Sequence, residues 1–170
     1  MADLRSAAVP GLAADDHVRG AAAAPLLIEY GDLECPYCAV LHSKAAPRVR
    51  AGSIRWVFRH FPLRSAHPRA WPLSYAAEAA GFQGRFWDFH DTLLEDQGHV
   101  DDPHLWARAS AMGLDLARFD QDRRSNVALA RVKRDFEAGV RAGVVTTPTV
   151  FSGGVAHYGE ALDALMGSLL

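Results

Sequence analysis

Leu26-Leu27-Ile28-Glu29-Tyr30 is a short apolar run broken only by Glu29, and it reads as a buried strand. Gly31-Asp32-Leu33-Glu34 follows as a loop. Pro36 suits a first helical turn, where a missing N–H leaves nothing unpaired, so a helix is predicted from there to the Arg50–Gly52 region. Trp56 and Phe58 alternate with Arg55 and Val57, which predicts a second strand over Ile54 to Phe58. The pattern then changes from period two to helical. Between Pro68 and Ala142, glycine and proline punctuate helices predicted at Pro72 to Phe82, Phe86 to Asp96, Pro103 to Met112, Asp115 to Ser125 and Val127 to Ala142. In the last, Val132, Phe136 and Val140 recur at helical spacing on one face. Thr149 to Phe151 and Val155 to His157 flank Ser152-Gly153-Gly154 as a hairpin, and Gly159 precedes a terminal helix. Residues 1–20 show little periodicity and are expected to form a loose arm.

Composition narrows the class. The chain has 170 residues, 49% of them hydrophobic and 22% charged, which fits one globular domain, with room for an insertion. Eighteen basic residues against twenty acidic ones give a net charge of −2 and no basic half, which argues against nucleic acid as a partner. The cluster Arg131 to Arg134 is expected to form a solvated helix face. No stretch approaches the ~18 apolar residues of a membrane span. Ala21 to Ile28 follows acidic residues and feeds the first strand, so it is not read as an export signal, and a cytoplasmic address is expected.

The two cysteines carry the chemistry. They are Cys35 and Cys38 of Cys35-Pro36-Tyr37-Cys38, placed where a strand hands over to a helix. Two intervening residues let the thiols close and reopen a small ring, and a helix N-terminus favours a thiolate on the first of them. Cys35 is therefore expected to be the exposed nucleophile and Cys38, one turn further in, the resolving thiol. A rival arrangement places zinc on Cys35, Cys38 and His42, which share a helix face; no fourth ligand stands at a suitable spacing, so no metal is expected. A second alternative is a redox-sensing interaction module without turnover. His60 reads as a packed or capping histidine, and His42 as packed or solvated. Phe82, Phe86, Trp87 and Phe89 read as helical core, and Glu34 as solvated. His90 and Asp91, neighbours on a helix, are expected to point apart. No phosphate-binding glycine pattern appears, so no nucleotide cofactor is expected.

Tyr30-Gly31-Asp32-Leu33-Glu34-Cys35-Pro36-Tyr37-Cys38, Phe58-Arg59-His60-Phe61-Pro62-Leu63 and Gly143-Val144-Val145-Thr146-Thr147-Pro148-Thr149-Val150-Phe151 resemble, in order, three core motifs of the DsbA family. Ala76-Ala77-Glu78-Ala79-Ala80, Phe86-Trp87 and His90-Asp91 resemble its helical segment. The resemblance covers roughly residues 15–170 and extends to the cytoplasmic, FrnE-like type. It implies an α/β, thioredoxin-like fold over 21–67 and 143–170 with an inserted all-α domain over 68–142. It also implies thiol–disulfide exchange with protein or small-thiol substrates, glutathione among them, with no cofactor beyond the cysteine pair. Glu29 stands where the family keeps a buried acid that moves the resolving thiol's proton. Thr147-Pro148 stands where it keeps a cis-proline facing the sulfurs, with the Thr147 backbone turned outward for a substrate strand; Pro36 and Tyr37 complete the substrate side. Thr146 departs from the glycine that many relatives carry.

Overall fold

The computed structural model describes residues 7–169. Among them are five strands and seven helices. β1 (His17–Gly20), β2 (Leu26–Gly31), β3 (Arg55–His60), β4 (Thr149–Ser152) and β5 (Val155–His157) form one sheet in the order β1-β3-β2-β4-β5. β2 and β3 run parallel at its centre, and the other pairs are antiparallel. The parallel pair requires a crossover, which α1 (Pro36–Arg50) supplies. Between β3 and β4 lie α2 (Ala70–Gly81), α3 (Phe86–Glu95), α4 (Asp102–Ala111), α5 (Leu116–Asp122) and α6 (Asn126–Arg141). The chain closes with α7 (Gly159–Ser168).

Alternation along the central strands divides the core. Leu27 and Trp56 point to one face, where Leu41 and Ala45 of α1 and Leu162 and Met166 of α7 cover them. Ile28, Tyr30 and Val57 point to the other, with Phe61, Val144 and Phe151. Glu29 shares the parity of Leu27 and therefore lies on the α1 side. A third cluster joins Cys35, Cys38 and Phe58 to Leu73, Phe89, Leu93 and Phe119, so the α2–α5 layer packs directly behind the cysteines.

Several expectations change. Residues 1–6 of the anticipated arm lie outside the described residues, but the rest is anchored rather than loose. β1 pairs with β3. The buried Arg59 guanidinium donates to the carbonyls of Pro10 and Gly11, each at 2.7 Å, and to Asp16 at 2.8 and 3.0 Å. His17 and His60 both hydrogen-bond Glu78 Oε1, at 2.6 and 2.7 Å, tying β1, β3 and α2 together. Burial works against charge on Glu78, yet the two histidines hold its carboxyl below the usual range.

The second strand runs on to His60, because Tyr30 and Gly31 of β2 still pair there. The helix expected at Pro72 begins at Ala70, since proline fits a first turn and leaves room upstream. α5 starts one residue later than expected and α6 one residue earlier, because Asp115 and Ser125 are their N-caps, accepting from the amides of Arg118 and Ala128. α6 buries Ala128, Val132, Asp135 and Gly139 and leaves Val140 exposed. Its basic cluster is not simply solvated: Arg131 and Arg134 pair with Asp15 and Asp135.

Gly139 allows α6 to approach the sheet. A Cβ there would meet the Phe61 ring at 2.7 Å and the Tyr30 ring at 2.8 Å. Overpacking of that kind costs about 1–3 kcal/mol, set against roughly 1 kcal/mol of helical gain. Gly139→Ala is therefore expected to lower the urea midpoint with an unchanged m-value, as an equilibrium unfolding curve would show.

Candidate functional site

β2 ends at Gly31, the loop Asp32–Glu34 turns the chain, and Cys35 becomes the N-cap of α1. Cys38 lies one turn on, with no exposed surface. Both cysteines are free thiols. Cys35 is less open than expected, at 2% exposure, because the Thr147 carbonyl lies 3.4 Å from its sulfur. That carbonyl therefore faces Cys35 instead of standing free for a partner strand. The Thr147–Pro148 peptide is cis. Tyr37 is 72% exposed, and it borders a cleft of about 300 Å³ with Val40, Leu41, Thr147, Pro148 and Leu162.

The two sulfurs sit in opposite electrostatic settings. A hydrogen bond from the Cys38 thiol is the largest influence on Cys35 and lowers it to about 6. Burial opposes this, while the Thr147 side chain and the amides of Cys38 and Tyr37 assist. Burial pushes Cys38 well above its ordinary value, and its bond to the Cys35 sulfur and the charge of Glu29 add to the effect. At neutral pH the pair is one thiolate and one thiol.

Glu29 is 3% exposed. Burial raises its carboxyl to about 8, against the Trp56 indole, which donates to Oε2 at 3.0 Å. Oε1 has no hydrogen-bond partner. A Cβ on Gly31 would come within 2.5 Å of that oxygen, so the glycine leaves the carboxyl its space. Cys35 is among the groups acting on Glu29, and Glu29 among those acting on Cys38, which places the acid and both sulfurs in one field.

His42 turns away from the sulfurs. It is buried, with Nε2 3.3 Å from Glu95 and Nδ1 3.6 Å from Asp91. Among the described residues, the side-chain clusters with ligand spacing are His17–His60–Glu78 and His42–His90–Asp91, and neither contains a cysteine. His90 and Asp91 do not point apart: Nδ1 lies 2.8 Å from Oδ1, because Arg19, stacked over Trp87, draws the Asp91 carboxylate back at 2.7 Å. Glu34 is not simply solvated, since the Arg69 amide donates to it at 2.7 Å.

Two contacts had no place in the sequence reading. Gln97 Nε2 donates to the carbonyls of Leu33 and Cys35 at 3.1 and 3.0 Å, clasping the loop from the helical layer. Asp32 is fully buried and accepts from the amide of Glu34 at 2.9 Å. That second bond has a sequence signal, an Asp folding back on the residue two ahead, whereas the Gln97 contact spans more than sixty residues and has none.

A family model described as thioredoxin matches residues 13–166, and the chain belongs to that family. The Na(+)/H(+) antiporter NhaA 1 of Salinispora arenicola is 42% identical over 163 residues, which cover 90% of this chain and 24% of that protein. The chain thus spans about a quarter of the length of the curated relatives it matches. Among solved structures, a thioredoxin-like oxidoreductase from Silicibacter pomeroyi superposes with a TM-score of 0.81 at 21% identity, covering 92% of this chain and 91% of that one. Wolbachia pipientis alpha-DsbA1 gives 0.77 at 21% identity, with coverages of 93% and 90%. The fold is accordingly thioredoxin-like and of the DsbA arrangement. No helix of the described residues is long and apolar enough to cross a membrane.

Glu29 sets a pH dependence of stability. Its carboxyl binds a proton more tightly folded, at about 8, than at the ordinary value of 4.5. The stabilising contribution is complete below about pH 4.5 and is lost as pH rises through about 8. Glu29→Gln cannot ionise, so its stability relative to wild type should climb across that window by on the order of a few kcal/mol. Denaturant curves at several pH values would show it; parallel pH profiles would contradict it.

Proposed function

We propose that this chain is a thiol–disulfide oxidoreductase of DsbA type, with Cys35 as nucleophile and Cys38 as resolving thiol. The observation that carries the reading is the placement of the pair: Cys35 stands at the N-cap of α1 beside the cis Thr147–Pro148 peptide, and Cys38 lies fully buried one turn further in. In the reductive direction the Cys35 thiolate attacks a substrate disulfide. A Cys35–substrate bond forms, and the distal substrate sulfur leaves and takes up a proton. The fraction of Glu29 that is ionised, small at neutral pH and growing as pH nears 8, then accepts the Cys38 proton. The Cys38 thiolate attacks Cys35, the intramolecular disulfide forms, and the second substrate sulfur is released. The oxidative direction runs the same steps in reverse.

The cysteine pair serves as its own cofactor. Pro36, Tyr37, Thr147 and Pro148 line the substrate side, and the mostly apolar cleft beside them suits an extended protein segment with a cystine or cysteine; small thiols, glutathione included, are the simpler partners. No feature of the described surface calls for nucleic acid. The NhaA relatives are much longer proteins, and this chain corresponds to a redox module within that length.

Insulin reduction with dithiothreitol as electron donor tests the reading. Wild type should turn over many times, Cys35→Ser should not, and Cys38→Ser should accumulate a mixed disulfide. Glu29→Gln should slow resolution by at least about tenfold. A single stoichiometric oxidation without turnover would mark a redox-sensing module instead.

A further inference from the structure

Asp32 joins three parts of the site. Its carboxylate, fully buried, receives the Glu34 amide on Oδ1 at 2.9 Å and the Leu63 amide on Oδ2 at 2.9 Å, with His67 Nδ1 2.8 Å from Oδ2. Its carbonyl accepts the Cys35 amide at 3.1 Å. Its own amide donates to Cys38 Sγ at 3.4 Å. The side chain thus pins the loop to the segment between β3 and α2, and the pinned backbone presents an N–H to the resolving sulfur. Cys35 has the amides of Tyr37 and Cys38 acting on it, whereas the backbone donor acting on Cys38 is that of Asp32.

The geometry points to Asp32 as a positioning residue for the second half of exchange, in which its fixed amide stabilises the Cys38 thiolate as it attacks the Cys35–substrate disulfide. This rests on the assignment of Cys35 as attacking and Cys38 as resolving thiol. In that step the Cys38 proton passes to a base, the Cys38–Cys35 bond forms, the Cys35–substrate bond breaks, and the substrate sulfur leaves with the electron pair. Negative charge develops on a sulfur that burial disfavours, so a donor already aimed at it lowers the barrier without reorganising. The side chain acts at one remove: without its three bonds the loop is free to turn the amide away.

Reaction of the reduced protein with dithiobis(nitrobenzoate) separates the two halves. Attack by Cys35 releases one coloured thiolate, and resolution by Cys38 releases a second. If wild type shows no second release, the assignment of the thiols fails, and with it the basis of this inference. Given two phases, Asp32→Asn places an amide N–H₂ among donors and should slow the second by about tenfold, with the pH profile of the first unchanged. A folded Asp32→Asn protein with both phases as in wild type, or with both slowed equally, overturns the proposal. His67→Leu removes one of the three bonds and decides the matter if Asp32→Asn does not fold. Slowing of the second phase alone by about threefold supports the proposal, and an unchanged second phase overturns it.

Discussion

The unpaired amides at the start of α1 are the constraint on which the site depends. A helix cannot bond its own first N–H groups, and here the residue standing at that end is a cysteine whose sulfur they favour as an anion. Everything else holds that arrangement in place. The parallel β2–β3 pair directs the chain out of the sheet at Gly31, α1 crosses back over the face that carries Glu29, and the Thr147–Pro148 turn closes on the Cys35 sulfur from β4.

A stabilised thiolate alone could attack a disulfide but could not resolve the mixed disulfide that results. The site becomes a switch because burial treats the two sulfurs differently. Cys35 keeps the helix end and the Cys38 thiol proton, while Cys38 lies in the apolar cluster shared with the helical layer. Glu29, whose carboxyl burial raises to about 8, completes a set of three buried titratable groups that act on one another. The helical layer is therefore part of the chemistry: it supplies the dry wall behind Cys38 and, through Gln97, a clasp on the loop.

The parts of this design that local rules govern were readable in the chain. A strand, a loop and Pro36 place Cys35 at a helix start, and the hairpin glycines locate β4 after Pro148; Glu29 was singled out only by the family resemblance, and its face of the sheet came from the structure. What escaped was held by polar contacts between residues far apart. His17 and Glu78 are 61 positions apart, and Arg59 reaches Pro10 across 49, so an N-terminal segment without periodicity is nonetheless anchored. Asp135 and Gly139 face inward on α6 because a backbone amide of β3 needs an acceptor and two aromatic rings need room. Neither requirement is visible in a hydrophobic pattern, which would have chosen Val140.

Stabilising the Cys35 thiolate stabilises the reduced pair, and a more stable reduced pair is a stronger oxidant. With Cys35 at about 6, below the ~7 of thioredoxin and above the ~3.5 of DsbA, the potential should fall between those two proteins. The direct measurement is the Cys35–Cys38 reduction potential, by equilibration in glutathione buffers and thiol trapping. A value between about −270 and −120 mV agrees with a thiolate held by the helix end and the Cys38 proton. A value at or below about −270 mV would mean that the reduced form is not stabilised in this way, and would contradict the account.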